Sequence, residues 1–224
     1  MKPLPWSPSA LDTFVNCPEQ YRHRYVLKDL PEEEKSKEQV YGEYVHAAFA
    51  DRQRPKHVAL PPDLKIHEPF MTVLEAQPGW VYIEHKAALA KDLTTCEWGT
   101  KNVWCRMIID YLRVDAKERR ASLVDYKTGK PHKKFRQLII YALWVFQEFG
   151  YFDEIDVMFY WTKDRTITKE TWSRDDVPKL WNELVGDLRQ YREAFRSDTW
   201  QMRPSGLCLG WCPVIGCKHW RPKR

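Results

Sequence analysis

The chain has 224 residues, 43% hydrophobic and 30% charged, with 36 Lys and Arg against 31 Asp and Glu for a net charge of +5. These values exclude a disordered chain and a bulk polycation, and they fit one soluble globular domain that can bury a real core. The longest apolar run, Leu138 to Phe146, falls well short of the roughly 20 residues a membrane helix needs, the opening Met-Lys-Pro-Leu-Pro-Trp is no signal peptide, and six cysteines without such a signal point to a reducing, cytoplasmic setting and to metal ligation over disulfides.

Residues 7 to 30 read as helix, with Ser7 as N-cap and Pro8 in the first turn, where its missing N–H costs nothing. Leu11, Phe14 and Val15 give an i, i+3, i+4 apolar face, Pro18 breaks or restarts the helix, and Tyr21 and Tyr25 continue an aromatic face. Cys17 taken by itself is a small buried residue. A charged connection over residues 31 to 38 leads into a second helix, Gln39 to Arg54, which carries His46 four residues after Gly42. By itself His46 is a packed or surface histidine. The stretch from Pro55 to Pro78 is Pro-rich and polar, with one short helix from Pro69 to Ala76.

Val81 to Leu89 reads as a strand holding Glu84, an extra candidate site acid read mainly as structural or exposed. Residues 91 to 102 form a connection, and Val103 to Val114 is a second strand, carrying Asp110. Leu123 to Tyr126 opens a third, in Ala121-Ser-Leu-Val-Asp-Tyr-Lys-Thr-Gly-Lys130. Side chains alternate across a strand, so Asp125 and Lys127 share a face and Tyr126 takes the other. A carboxylate and an ammonium side by side at a strand end suit a metal ion with a water beside it. A lone Asp-x-Lys is common on surfaces; the strand context and the second acid, Asp110, strengthen it. Lys133 to Phe149 is a helix with 3.6-residue apolar spacing, and Gln137 and Tyr141, one turn apart on it, share a face. Tyr151 to Trp161 is a buried strand and Val177 to Phe195 a long amphipathic helix.

Two further patterns bear on function. From Lys117 to Arg136 eight bases face two acids, and four more bases lie between Lys218 and Arg224; such clusters fit a phosphate backbone or a solvated surface. Cys208, Cys212 and Cys217 lie in a loop with Gly and Pro between them, where small turn residues let sulfurs converge. Three thiolates fall one short of the usual set, and a distant Cys17 completes four. An iron–sulfur cluster, Zn²⁺ (with His219 as a substitute ligand) and free thiols all stay open.

Asp110, Asp125-Tyr-Lys-Thr-Gly129 and Gln137-Leu-Ile-Ile-Tyr141 together resemble the PD-(D/E)XK nuclease superfamily in its RecB-like exonuclease branch. Ser7-Pro-Ser-Ala-Leu11, Phe14, Cys17-Pro18 and Tyr21 resemble the start of such nucleases, and Gly42-x-x-x-His46 resembles a metal-binding element of theirs. The resemblance implies an α/β restriction-endonuclease-like core: a mixed central sheet flanked by helices, in a single nuclease domain over 1–224. Residues 1–30 and 200–224 would form a lobe clipped by a [4Fe-4S] cluster on Cys17, Cys208, Cys212 and Cys217. The last three cysteines are spaced C-x3-C-x4-C, where the branch has C-x2-C-x5-C, so the middle one is displaced by one residue.

The same resemblance implies a Mg²⁺- or Mn²⁺-dependent deoxyribonuclease. His46, Asp110, Asp125 and the Tyr126 carbonyl would be metal ligands, and an imidazole among them favours the later metals. Lys127 would work on the attacking water, with Gln137 and Tyr141 holding it. DNA is the implied partner, with a strand-annealing or recombination protein as a further one, and the tail is similar to those of phage nucleases. Two alternatives share these residues: a nuclease trimming DNA for CRISPR adaptation, and an inactive DNA-binding module of the same fold.

Overall fold

The computed structural model describes residues 1–31, 34–56, 58–132 and 134–222. Glu32 and Glu33 of the charged connection, Lys133 at the expected helix start, and Lys223 and Arg224 of the basic tail lie outside the described residues. The chain divides into two compact units, one of Met1–Glu34 with Asn182–Arg224, the other Lys35–Trp181. No described helix is long and apolar enough to cross a membrane.

The Lys35–Trp181 unit is built on a mixed sheet of β1 (Trp80–Ala90), β2 (Val103–Asp115), β3 (Arg120–Lys127), β4 (Glu154–Trp161) and β5 (Thr166–Ser173), in that spatial order. All neighbours are antiparallel except β3 and β4, which run parallel. A parallel pair needs a crossover, and the helix α5 (Arg136–Glu148) supplies it. This helix is buried at every position from Leu138 to Phe146, as expected of one that is apolar all round. β5 was not legible as a strand: it is an edge, mostly exposed, and its Thr-Ile-Thr-Lys-Glu-Thr sequence lacks a buried face.

Ahead of the sheet lie the helices α3 (Lys37–Gln53), capped by a reciprocal Ser36–Gln39 pair, and α4 (Glu68–Glu75). Val45 and Phe49 of the first and Met71 and Leu74 of the second pack with Tyr111, Val124 and Tyr126 of the sheet in one core. Arg52 ties the two helices through Glu68 at 2.9 Å and through Glu75.

Gly79, just before β1, has φ +119, and an added Cβ would lie 2.5 Å from the Val114 carbonyl oxygen. That oxygen is backbone and cannot yield. Gly79→Ala is expected to cost about 2–3 kcal/mol, read as a fall of several degrees in Tm at unchanged folded spectrum.

The other unit opens with α1 (Pro8–Asn16), α2 (Pro18–Tyr21) and a wide π-type turn over Arg22–Leu27. The sequence favours one broken helix here; Pro18 does end it, and Cys17 stands extended at the break with φ −159. The long helix α6 (Val177–Ser197) begins within Lys35–Trp181 and continues into this unit. Phe14, Tyr21, Tyr191, Phe195 and Trp200 form an edge-to-face aromatic cluster. Its hydroxyls are satisfied internally: Tyr21 and Tyr191 meet at 2.8 Å, and Tyr191 donates to the Leu4 carbonyl at 3.0 Å.

Candidate active site

The ladder between β2 and β3 runs only from Asp115↔Arg120 to Tyr111↔Val124. The next pair would be Asp110 and Asp125, and there the strands part. Parting frees backbone groups that must find partners, because a buried unpaired N–H or C=O is costly. Side chains take them up. Tyr126 N–H donates to Asp110 Oδ2 at 2.8 Å, His46 Nε2–H donates to the Tyr126 carbonyl at 2.9 Å, and Tyr141 O–H donates to the Ile108 carbonyl at 2.8 Å. Asp110, His46 and Tyr141 are thereby fixed in position by the sheet's own unused hydrogen bonds.

A second network fills the gap. Lys127 Nζ donates to Gln137 Oε1 at 2.7 Å, and Gln137 Nε2 donates to Asp125 Oδ1 at 2.6 Å and to Tyr141 Oη at 2.7 Å. Lys127 Nζ also lies 2.6 Å from Asp125 Oδ2. That oxygen is buried, and the ammonium beside it balances its charge. Tyr126, between the two, points the other way, into the core against Phe49 at 4.9 Å.

His46 Nδ1 stands 3.3 Å from Asp110 Oδ2. Burial by itself would lower the imidazole, but the hydrogen bond and charge of Asp110, with Asp125 and Glu84 behind, carry it up to about 9. Burial pushes Asp125 up from the usual carboxylate range, against the pull of Lys127.

Glu84, which the sequence offers as an extra site acid but weights toward a structural or exposed role, stands beside this group. It falls between the pairs Ile83↔Tyr111 and His85↔Ile109, opposite Asp110, with a left-handed φ of +49. Ligand atoms of His46, Glu84 and Asp110 lie within 4.8 Å of one another. Burial, then the charge of Asp110, raises the Glu84 carboxyl. One imidazole and several carboxylates form a donor set that fits a divalent cation. The trace of Glu84 in the sequence is an acid inside Val81-Tyr-Ile-Glu-His; only the cross-strand register ties it to Asp110.

Left-handed backbone at a non-glycine residue costs on the order of 1 kcal/mol or more, and two close carboxylates repel. Glu84→Asn is therefore expected to raise Tm by a few degrees, since Asn tolerates this conformation better. It should also weaken Mn²⁺ binding by about tenfold. Calorimetry of unfolding and of Mn²⁺ titration reads both; a variant that binds Mn²⁺ as tightly as the parent would remove Glu84 from the donor set.

The basic run near the site is smaller than its composition suggests. Arg119 pairs with Asp153, and Arg120 with Glu154 and Asp156. Cys17, Cys208, Cys212 and Cys217 all line one small cavity of the other unit, together with His219. Burial and the neighbouring thiols raise Cys212. Among the described residues no three of these sulfurs come within 4.8 Å of one another.

The sequence profile of the PD-(D/E)XK nuclease superfamily matches residues 5–217. No curated protein sequence matches the chain. Among solved structures, a "Putative exonuclease" from Eubacterium rectale is similar with a TM-score of 0.52 and 12% identity, over 88% of this chain and 83% of that one. SSO0001 is similar with a TM-score of 0.44 and 15% identity, over 97% and 88% of the respective chains.

Proposed function

The chain belongs to the PD-(D/E)XK nuclease superfamily, and from that premise we propose that it is a Mg²⁺- or Mn²⁺-dependent deoxyribonuclease that removes nucleotides from DNA ends. The observation that carries this reading is Lys127, clamped between buried Asp125 and Gln137 beside the His46, Glu84 and Asp110 group. His46, Glu84, Asp110, Asp125 and the Tyr126 carbonyl would hold the divalent ion. When bound, such an ion supplies Lewis acidity toward the phosphate and a water of lowered pKa.

The protein's own groups do the rest. Lys127 orients the attacking water, accepts or returns its proton, and faces the charge that grows on the phosphate. Gln137 fixes the ammonium through its carbonyl and Asp125 through its amide. Tyr141, anchored on Ile108, fixes Gln137 and acts as a positioning residue. The exonuclease name of the Eubacterium rectale structure agrees with the choice of DNA ends.

Cys17, Cys208, Cys212 and Cys217 would hold a structural [4Fe-4S] cluster. What supports a shared site is that all four cysteines line one cavity. The cysteine tail also supports a role in phage DNA degradation or recombination, in the cytoplasm of an infected cell.

The test uses anaerobically purified protein, Mn²⁺ or Mg²⁺, and linear single- and double-stranded DNA labelled at the 5′ or the 3′ end, beside closed circles. Shortening of linear DNA alone is the expected result, and the label lost first gives the direction. Cutting of circles would overturn the end-specific reading, and no cutting with either metal would overturn the nuclease reading.

A further inference from the structure

The unit of Met1–Glu34 and Asn182–Arg224 carries a groove of about 1290 Å³ that shares no residue with the carboxylate site. Arg189, Arg192 and Arg196 line it from α6. They recur at i, i+3 and i+7, so they stand in one stripe. The apolar stripe of the same helix, Leu184, Leu188, Tyr191 and Phe195, is buried. A fourth guanidinium, Arg203, also lines the groove.

Among the described residues the only carboxylate lining the groove is Glu193, and it is already taken: Arg196 grips both its oxygens, at 2.7 and 2.8 Å. Arg203 is held in place by the Val15 carbonyl and Gln190, both at 2.6 Å. Arg189 and Arg192 are exposed and have no acidic partner among the described residues. A surface that serves solubility alone intersperses both signs. Here the free charge is of one sign, it lies in a concavity that focuses its field, and it is arginine, whose planar fork matches a phosphate.

We propose that this arginine groove binds the phosphate backbone of DNA at positions other than the one being cleaved. It is a second, sequence-independent contact that keeps a long substrate on the protein. The inference rests on the nuclease reading above for the identity of the polyanion.

The test compares the full-length parent with Arg189→Ala/Arg192→Ala and Arg189→Lys/Arg192→Lys. Fluorescence anisotropy in EDTA gives Kd for labelled DNA across a salt series, and bis(p-nitrophenyl) phosphate with Mn²⁺ reports the carboxylate site alone. Losing two phosphate contacts should flatten the log Kd–log salt slope by about 1.8 for duplex or about 1.4 for single strands. By the same relation, affinity at low salt should fall by about one to two decades. The lysine variant should keep the parent slope, and hydrolysis of the small diester should be unchanged in both. An alanine variant with the parent slope and affinity would overturn the groove, as would a lysine variant that loses as much as the alanine one. The two readings separate cleanly. A parent that cleaves while the slope stays put refutes the groove alone. A slope flattened in the alanine variant, when the parent cleaves nothing, supports the groove and refutes the nuclease.

Discussion

Lys127→Ala is expected to lower DNA cleavage by about 10²–10⁴-fold, the range typical of losing a positioned proton-transfer group, while DNA binding in EDTA stays within a few-fold of the parent. The reason lies in how the ammonium is held. Its three donors are rationed: Gln137 Oε1 takes one at 2.7 Å, Asp125 sits at 2.6 Å, and the side chain stays partly exposed toward the cleft. Alanine removes the charge and the proton donor together and leaves Asp125 Oδ2 buried with no cation beside it. Lys127→Arg separates the two functions, because arginine keeps the charge but does not give up its proton. It should recover little of the lost rate if proton transfer matters, and most of it if charge alone does. Single-turnover cleavage of end-labelled DNA at saturating Mn²⁺ makes the measurement. Cleavage by Lys127→Ala within tenfold of the parent would remove Lys127 from the chemistry and return the chain to the inactive-module reading.

Cys212→Ser is the second large effect, and it falls on folding. Among its described residues the segment after α6 buries only two apolar side chains, Trp200 and Val214, whereas Leu207, Leu209, Trp211 and Ile215 stay exposed. Each buried side chain contributes about 1.5–3 kcal/mol. Ordering the backbone costs about 1–2 kcal/mol per residue, so a segment of this length does not hold itself together by burial. A metal clip can, since structural metal sites are worth on the order of 10 kcal/mol. The variant is expected to lose bound iron and acid-labile sulfide, about four of each per chain in the parent by the cluster's formula. Proteases should then cut it rapidly between residues 198 and 222. A variant that resists proteolysis like the parent would show that no clip orders this tail. Zinc in place of iron in the parent would leave the clip standing and change its metal.

What the sequence determined by itself was local. Period-2 and period-3.6 apolar patterns located four of the five strands and the main helices to within a few residues, because burial of one face imposes them. Asp125 and Lys127 were legible as neighbours because strand alternation alone puts residues two apart on one face. Gln137 and Tyr141 were legible as a pair because one helical turn separates them. Edge strand β5 left no such mark, since an exposed edge selects no apolar face.

The tertiary structure decided everything that depends on register and on where a ladder stops. That β2 and β3 part at Asp110 and Asp125 follows from pairings across the whole sheet, and parting is what hands Tyr126 N–H, the Tyr126 carbonyl and the Ile108 carbonyl to Asp110, His46 and Tyr141. Glu84 enters the site only because β1 sets it opposite Asp110 and twists its backbone to φ +49, a juxtaposition 26 residues distant in the chain. The arginine stripe of α6 was written in the sequence at helical spacing. That Glu193 is spent on Arg196 while Arg189 and Arg192 stay free required side chains in place. Spacing fixes which residues can share a face; the fold alone fixes which of their charges are already paired.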